Sequence, residues 1–208
     1  MRIDLHIHTT RYSPCSVLDP DELMFTAKGA GLDGVCITEH HRLWSADEAK
    51  ALSDKYGIAV FRGVEITTTG GDILVFGCEE IPDRMVTPAE LKERVDRSGG
   101  TAIAAHPFRG FLLFGFGGLG LPLEDAARNP TFSGVHGLEI CNSMCTGEEN
   151  GLSRQVADLL GLVKTGGSDA HKASQVGRCV TVFQDRIEND AQLAHAILSG
   201  RHTVIQEA

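Results

Sequence analysis

The chain reads as one α/β domain spanning residues 1–208, folded as a small TIM-like barrel. Three observations predict this. Short β-like runs alternate with helical stretches along the whole chain, the pattern of an α/β fold with a mostly parallel sheet. Residues able to do chemistry, namely His8, His40, Glu65, His106, Asn142 and Asp169, all fall where a β-like run ends. Functional groups at that one end of every strand are what a (β/α) barrel shows. Eight units typically take about 250 residues, so this chain has room for fewer or trimmed units.

The elements follow in order. RIDLHIH opens as a strand, and PDELMFTAKGAG is a helix with Pro20 at its start and Gly31 at its end. GVCITEH is the next strand, followed by SADEAKALSDKYG, in which Ser45 and Glu48 have the spacing of a capping box. IAVFRGVEIT runs through a hairpin at TTGGD into ILVFG. TPAELKERVDRSGG is a helix capped by Thr87 and Glu90. TAIAAHP is a strand, PLEDAARN a short helix, HGLEICN a strand and GEENGLSRQVADLLG a helix. LVKTGGSDAH supplies a strand and its loop, RCVTVF a late strand and NDAQLAHAILSG the final helix.

Composition narrows the function classes. The net charge of −9 argues against a broad nucleic-acid or anionic-membrane footprint. MRIDLHIH turns polar too soon for a signal peptide, and no apolar run reaches membrane-spanning length. The six cysteines (15, 36, 78, 141, 145 and 179) are scattered, mostly in apolar runs, which suits reduced, buried thiols in the cytoplasm better than disulfides. Cys141 and Cys145 have CxxxC spacing, but no neighbouring residue supports a metal pair there.

The polar residues suggest a cation site. Strand alternation puts Asp4, His6 and His8 on one face, with Ile3, Leu5 and Ile7 on the other. Two imidazoles so placed can share one cation, with Asp4 orienting a histidine from behind. His40 ends TEH, and Glu65 is a carboxylate isolated in an apolar strand, costly to bury without a cation. His106 follows TAIAA, and GGSDAH offers Asp169 and His171 at i, i+2. Mixed imidazole and carboxylate donors suit zinc, manganese or iron rather than calcium.

Taken in order, DLHIH, TEH, GVEIT, AHP and GGSDAH resemble the motifs of the polymerase and histidinol phosphatase (PHP) superfamily, over roughly residues 3 to 183. The resemblance implies a distorted (β/α)7 barrel with two or three metal ions at its C-terminal mouth, and usually phosphoester hydrolysis. It implies that His6, His8, Glu65 and Asp169 hold one ion, that Glu65 bridges to a second shared with His106, and that His40 and His171 serve a third. Family members commonly place an Asp or His where this chain has Pro14, so two ions are expected here. Cys15 beside it is either a thiolate ligand or a small buried thiol. Asp19 and Asp21 read as the start of a helix. Asp72 falls near a family histidine position and is either an oxygen ligand or a hairpin residue.

The expected chemistry is attack by a metal-activated water near Glu65 and Asp169 on a small phosphorylated substrate. Arg109, Arg42 and Arg178 are candidates to hold phosphate oxygens, and Asn142 is a candidate for substrate or a turn cap. Residues 108–121, FRGFLLFGFGGLGL, form either an apolar wall or lid over the site or a packed loop. An amidohydrolase or deaminase would use the same HxH opening but usually ends on a lone strand-end Asp, so the SDAH pair favours the phosphoesterase. A non-catalytic metal-binding accessory barrel is the third reading.

Overall fold

The computed structural model of the protein describes residues 1–110 and 122–207. Nine strands are described: β1 (Arg2–Ile7), β2 (Gly34–His40), β3 (Ala59–Thr68), β4 (Gly71–Phe76), β5 (Thr101–Ala104), β6 (Gly137–Asn142), β7 (Val163–Gly167), β8 (Cys179–Phe183) and β9 (His202–Gln206). They form one sheet in the order β7-β6-β5-β4-β3-β2-β1-β8-β9. The sheet curls until its ends nearly meet. Ile7 makes a parallel bridge to Ala170, just beyond β7. The His8 N–H donates to the Ala170 carbonyl at 2.9 Å, and the Ala170 N–H to that of His6 at 3.2 Å. Gly167 permits this approach, because a Cβ there would lie 2.4 Å from the Cβ of His6.

β1 through β7 make the expected seven-stranded, distorted barrel, but the sheet is not mostly parallel. β1–β2, β2–β3, β5–β6 and β6–β7 pair in parallel, whereas β3–β4, β4–β5, β1–β8 and β8–β9 are antiparallel. The cause is local. The TTGGD hairpin joins β3 to β4 without a crossover helix, so β4 must run back down the barrel. β9 lies in a tail, RHTVIQEA, whose half-exposed, mostly polar residues carry no strong alternation. It forms by pairing along β8.

Six α-helices are described: α1 (Pro20–Gly29), α2 (Ala46–Tyr56), α3 (Pro88–Arg97), α4 (Leu123–Ala126), α5 (Gly147–Leu160) and α6 (Asp190–Leu198). The capping boxes of Ser45 with Glu48 and Thr87 with Glu90 are both formed. Thr146 and Glu149 make a third at the start of α5. One core cluster packs Leu23 and Met24 of α1 against Val35 and Ile37 of β2. A second packs Leu91 and Val95 of α3 and Val156 of α5 against β3 to β6. The third gathers Ile3, Leu5, Phe61, Leu74, Phe76 and Ile103 under Leu193, Ala194 and Ile197 of α6. Because α6 packs across β3, β4, β5 and β7, it closes the N-terminal end of the barrel and leaves the other end for the site.

Two expectations are corrected. Ile3 and Leu5 pack in the α6 cluster but Ile7 packs with α1, because the β1–β2 register shifts between Asp4 and Ile7. Simple alternation therefore fails along β1. The cysteines are not all free: Cys141 and Cys179 are joined in a disulfide, so Cys141 is unavailable to pair with Cys145 around a metal. Gly166, opposite Cys141 on β7, has no side chain between the two strands. Cys36 and Cys78 are buried free thiols, whereas Cys15 is exposed. Among the described residues, no helix is long and apolar enough to cross a membrane.

Candidate metal centre

β1 delivers His6 and His8 to the open end of the barrel, both fully buried, with their Nε2 atoms 3.1 Å apart. β3 delivers Glu65 from its interior rather than its end, and four histidines converge on that carboxylate. Its Oε1 lies 3.1 Å from His106 Nε2 and 3.5 Å from His6 Nε2, and its Oε2 lies 3.0 Å from His40 Nδ1 and 3.2 Å from His8 Nε2. Asp169, two residues beyond β7, faces His6 at 3.5 Å and His8 at 3.4 Å from the other side. His171 Nδ1 sits 3.5 Å from the same Asp169 oxygen.

Three groups of donors have ligand atoms within 4.8 Å of one another: His6, His8 and Asp169; His6, Glu65 and His106; and His8, His40 and His171. All seven residues singled out as metal ligands are thus brought together. The division differs from the expected one, since His6 and His8 each belong to two groups. The donor chemistry fits divalent cations. Two carboxylates, each under 3% exposed, sit among five imidazoles with few other partners, an arrangement costly to assemble unless a cation shares it.

The donors also shift one another's proton affinities. Burial alone would lower the pKa of His6, but Asp169, Glu139 and Glu65 outweigh it and hold the imidazole well above its ordinary value. His8 is raised in the same way, against burial, by its bonds to Asp169 and Glu65. Burial pushes Glu65 and Asp169 up, yet the facing histidines, joined at Asp169 by Arg109, hold both well below the usual carboxylate range. His171 is lowered by burial and by the charge on His8. Backbone strain collects here too. His106 and Asp169 have positive φ, +30° and +54°, a conformation that non-glycine residues adopt only where surroundings impose it.

A layer of carboxylates behind the donors was not singled out from the sequence. Glu139 of β6 meets His6 Nδ1 at 3.0 Å, accepts the His106 N–H at 2.9 Å and accepts the Asn142 side-chain amide at 2.8 Å. Glu39 of β2 accepts from the Thr9 backbone at 3.0 Å, from Trp44 Nε1 at 3.0 Å and from the Ser13 hydroxyl, which lies 3.3 Å from His8 Nδ1. The signal is present, for GLEICN and GVCITEH place Glu139 and Glu39 in apolar strands, as GVEIT does Glu65. Asp4, expected to orient a histidine ring, does not. It accepts the backbone N–H groups of Ser168 and Gly177, both at 2.8 Å, and so ties both ends of the β7–β8 connection to β1. Burial pushes its pKa up to about 6.

Of the substrate candidates, the structure brings Arg109 and Asn142 to the cluster. Arg109 donates to Asp169 and, at 3.3 Å, to Asn142 Oδ1. Its segment is anchored by Gly110, whose N–H donates to Glu149 at 2.7 Å. Arg42 instead stacks 4.3 Å from the centre of the Tyr12 ring, and Arg178 donates to the Ser174 carbonyl at 3.2 Å. Cys15 belongs to none of the donor groups and is exposed, so it is neither gathered into the cluster nor a buried thiol. Asp19 and Asp21 are occupied at α1, as N-cap and as partner of Lys55 at 2.8 Å. Asp72 is not a ligand-group member either. Phe108 packs its ring 5.9 Å from that of Phe132, and the rest of the Gly- and Phe-rich stretch, residues 111–121, lies outside the described residues.

A nearly closed barrel with imidazoles and carboxylates gathered at one mouth defines a TIM-like α/β fold that carries a candidate metal centre. Comparison with known proteins is specific about the family. The model of the PHP domain matches residues 4–109 and that of a PHP-associated region matches residues 147–202, so the chain belongs to the PHP family. An uncharacterised protein of Methanocaldococcus jannaschii is 39% identical over 119 residues, 52% of this chain and 68% of its own length. Among solved structures, a two-domain protein of Bacteroides vulgatus, described as containing a predicted PHP-like metal-dependent phosphoesterase, superposes with a TM-score of 0.71 at 18% identity. That match covers 99% of this chain and 64% of the other. An amidohydrolase of Chromobacterium violaceum superposes with a TM-score of 0.64 at 17% identity, over 99% of this chain and 98% of its own. At such identities the likenesses speak for the fold.

Proposed function

We propose that the protein hydrolyses a phosphoester of a small molecule, a monoester or a nucleotide-like diester, with two divalent ions of zinc, manganese or iron. The observation that carries this reading is Arg109, whose guanidinium reaches Asp169 at the edge of the donor cluster. A fixed cation beside a metal cluster suits an anionic substrate, because guanidinium pairs with phosphoryl oxygens through parallel charge-assisted hydrogen bonds. Amide hydrolysis develops its negative charge on a single oxygen, for which a two-pronged guanidinium contact is less suited.

When bound, divalent ions lower the pKa of water toward about 7 and polarise the phosphoryl group. His6, His8, Glu65 and Asp169 would hold one ion, Glu65 with His106 a second. Glu65 and Asp169 keep their charge to low pH, so both remain acceptors able to orient a water. Arg109 exchanges Asp169 for non-bridging phosphate oxygens, and Asn142, held at its amide by Glu139, keeps the guanidinium aimed. Glu139 fixes the ring of His6 and the backbone of His106 together. Glu39 fixes His8 through Ser13.

The test is a panel of phosphomonoesters and phosphodiesters with added manganese or zinc, read in parallel for ammonia and for phosphate, with a coupling phosphomonoesterase added after diester reactions so that their cleavage also frees phosphate. Phosphate release from at least one ester, lost in a folded Asp169→Ala variant, supports the proposal. Ammonia release without phosphate release would assign the amidohydrolase chemistry instead. Neither product would leave a metal-binding barrel without this catalysis.

A further inference from the structure

Beside the cluster lies a cavity of about 320 Å3, between the β3–β4 hairpin, the segment after β5 and the turn at Asn129–Phe132. His106 and Arg109 form its wall on the metal side, and Asp72, Asn129, Thr131 and Phe132 line the rest. Gly70 and Gly71 leave the hairpin side without side chains, which keeps the space open. The ligand-donor groups include none of Asp72, Asn129 or Thr131, so these polar groups are not needed to hold metal.

We propose that this cavity receives the organic part of the ester, and that it is built for a polyhydroxylated group such as a sugar or polyol. The inference rests on the phosphoester reading above. Asp72 is fixed by its backbone, whose carbonyl accepts the Ala105 N–H at 2.9 Å, and its carboxylate lines the cavity as a hydrogen-bond acceptor. Asn129 uses its Oδ1 on the Thr131 N–H at 3.0 Å, which leaves its amide nitrogen to donate. Thr131, also on the lining, gives its hydroxyl proton to the Gly70 carbonyl at 2.9 Å, so toward any other partner its oxygen acts as an acceptor. A vicinal diol, with hydroxyls that both donate and accept, matches this alternation, and Phe132 offers an apolar surface for a sugar's C–H face. A second phosphate does not match. Its charge would meet the Asp72 carboxylate, and Arg109, the cation on the wall, is in the reading above taken by the phosphate at the cluster.

Binding of non-hydrolysable phosphonates tests this apart from catalysis. Calorimetry with the manganese-loaded protein compares ribose, hexose and glycerol phosphonates with methylphosphonate. At least one polyol phosphonate should bind about 10-fold or more tighter than methylphosphonate, in line with one or two buried hydrogen bonds. Asp72→Ala, which removes the accepting oxygens, should collapse that preference while leaving methylphosphonate affinity unchanged. Equal affinities in the wild type, or an undiminished preference in Asp72→Ala, would overturn the assignment, as would tighter binding of a bisphosphonate. An equal loss for polyol and methyl compounds would place Asp72 in the metal site instead, also against it. If polyol phosphonates bind selectively but no ester is cleaved, the cavity assignment stands and the hydrolase reading falls.

Discussion

Glu139 Oε1 lies 3.0 Å from His6 Nδ1 while its Oε2 accepts the His106 backbone N–H at 2.9 Å, so one buried carboxylate sets two candidate metal donors, one on β1 and one just beyond β5. Removing such a partner typically costs about 10–100-fold in metal affinity. Glu139→Gln should therefore fold and still weaken metal binding by about that factor, measured by calorimetric titration with manganese or zinc. Wild-type affinity in the variant would show that His6 is positioned by other contacts.

Metal binding should expel protons. His6 and His8 carry raised pKa values in the metal-free protein, so metal must compete with protons there. The sign follows: affinity falls as pH drops, and binding near neutral pH releases about one proton or more per chain. Titrations in two buffers of different ionisation enthalpy measure the number directly. A release of zero would contradict the charge state assigned to these histidines.

Arg109→Ala should leave metal content near wild type and lower kcat/KM on a phosphoester by about 100-fold or more, the usual effect of losing one donor to a developing charge. Arg109→Lys should recover only part of it, because an ammonium cannot reproduce a two-pronged contact. Parallel loss of metal in Arg109→Ala would show that the guanidinium serves to hold Asp169.

Glu48 clamps the loop after β1 to α2 by accepting from Arg11 at 2.7 Å, Tyr12 at 2.9 Å and the Ser45 hydroxyl at 2.8 Å. These bonds lower its pKa to about 2. A depressed carboxylate contributes stability above its unfolded value and loses it as pH falls through the folded one. Because the clamp is largely solvated, Glu48→Gln should cost only about 1 kcal/mol at neutral pH. Urea melts should show the difference between variant and wild type shrinking as pH falls from the ordinary carboxylate value of 4.5 toward about 2.

Much of this molecule is legible in its sequence. The capping boxes at Ser45 and Thr87 act within one turn, and both form. The candidate metal donors were legible as a group because a carboxylate or charged histidine in an apolar strand is costly to bury without a partner. What escaped depends on distant partners. Asp4 stands two residues before His6, and nothing local reveals that Ser168 and Gly177 claim it. Arg42 and Arg109 each follow a histidine motif, yet only tertiary packing sends one to the Tyr12 ring and the other to Asp169. The Cys141–Cys179 bond joins residues 38 apart across a glycine of the strand between them, a separation that no local pattern encodes. β9 has no signal beyond the strand it pairs with.

The central claim is that β1, β3 and the loop after β7 together make a divalent-metal site. Elemental analysis of the purified protein, beside Asp169→Ala and His8→Ala variants shown to be folded by circular dichroism, tests it most directly. The account predicts about two ions of zinc, manganese or iron per wild-type chain, with loss of at least one in each variant. Wild-type protein that retains and binds no divalent metal, or variants whose metal content matches it, would contradict the account.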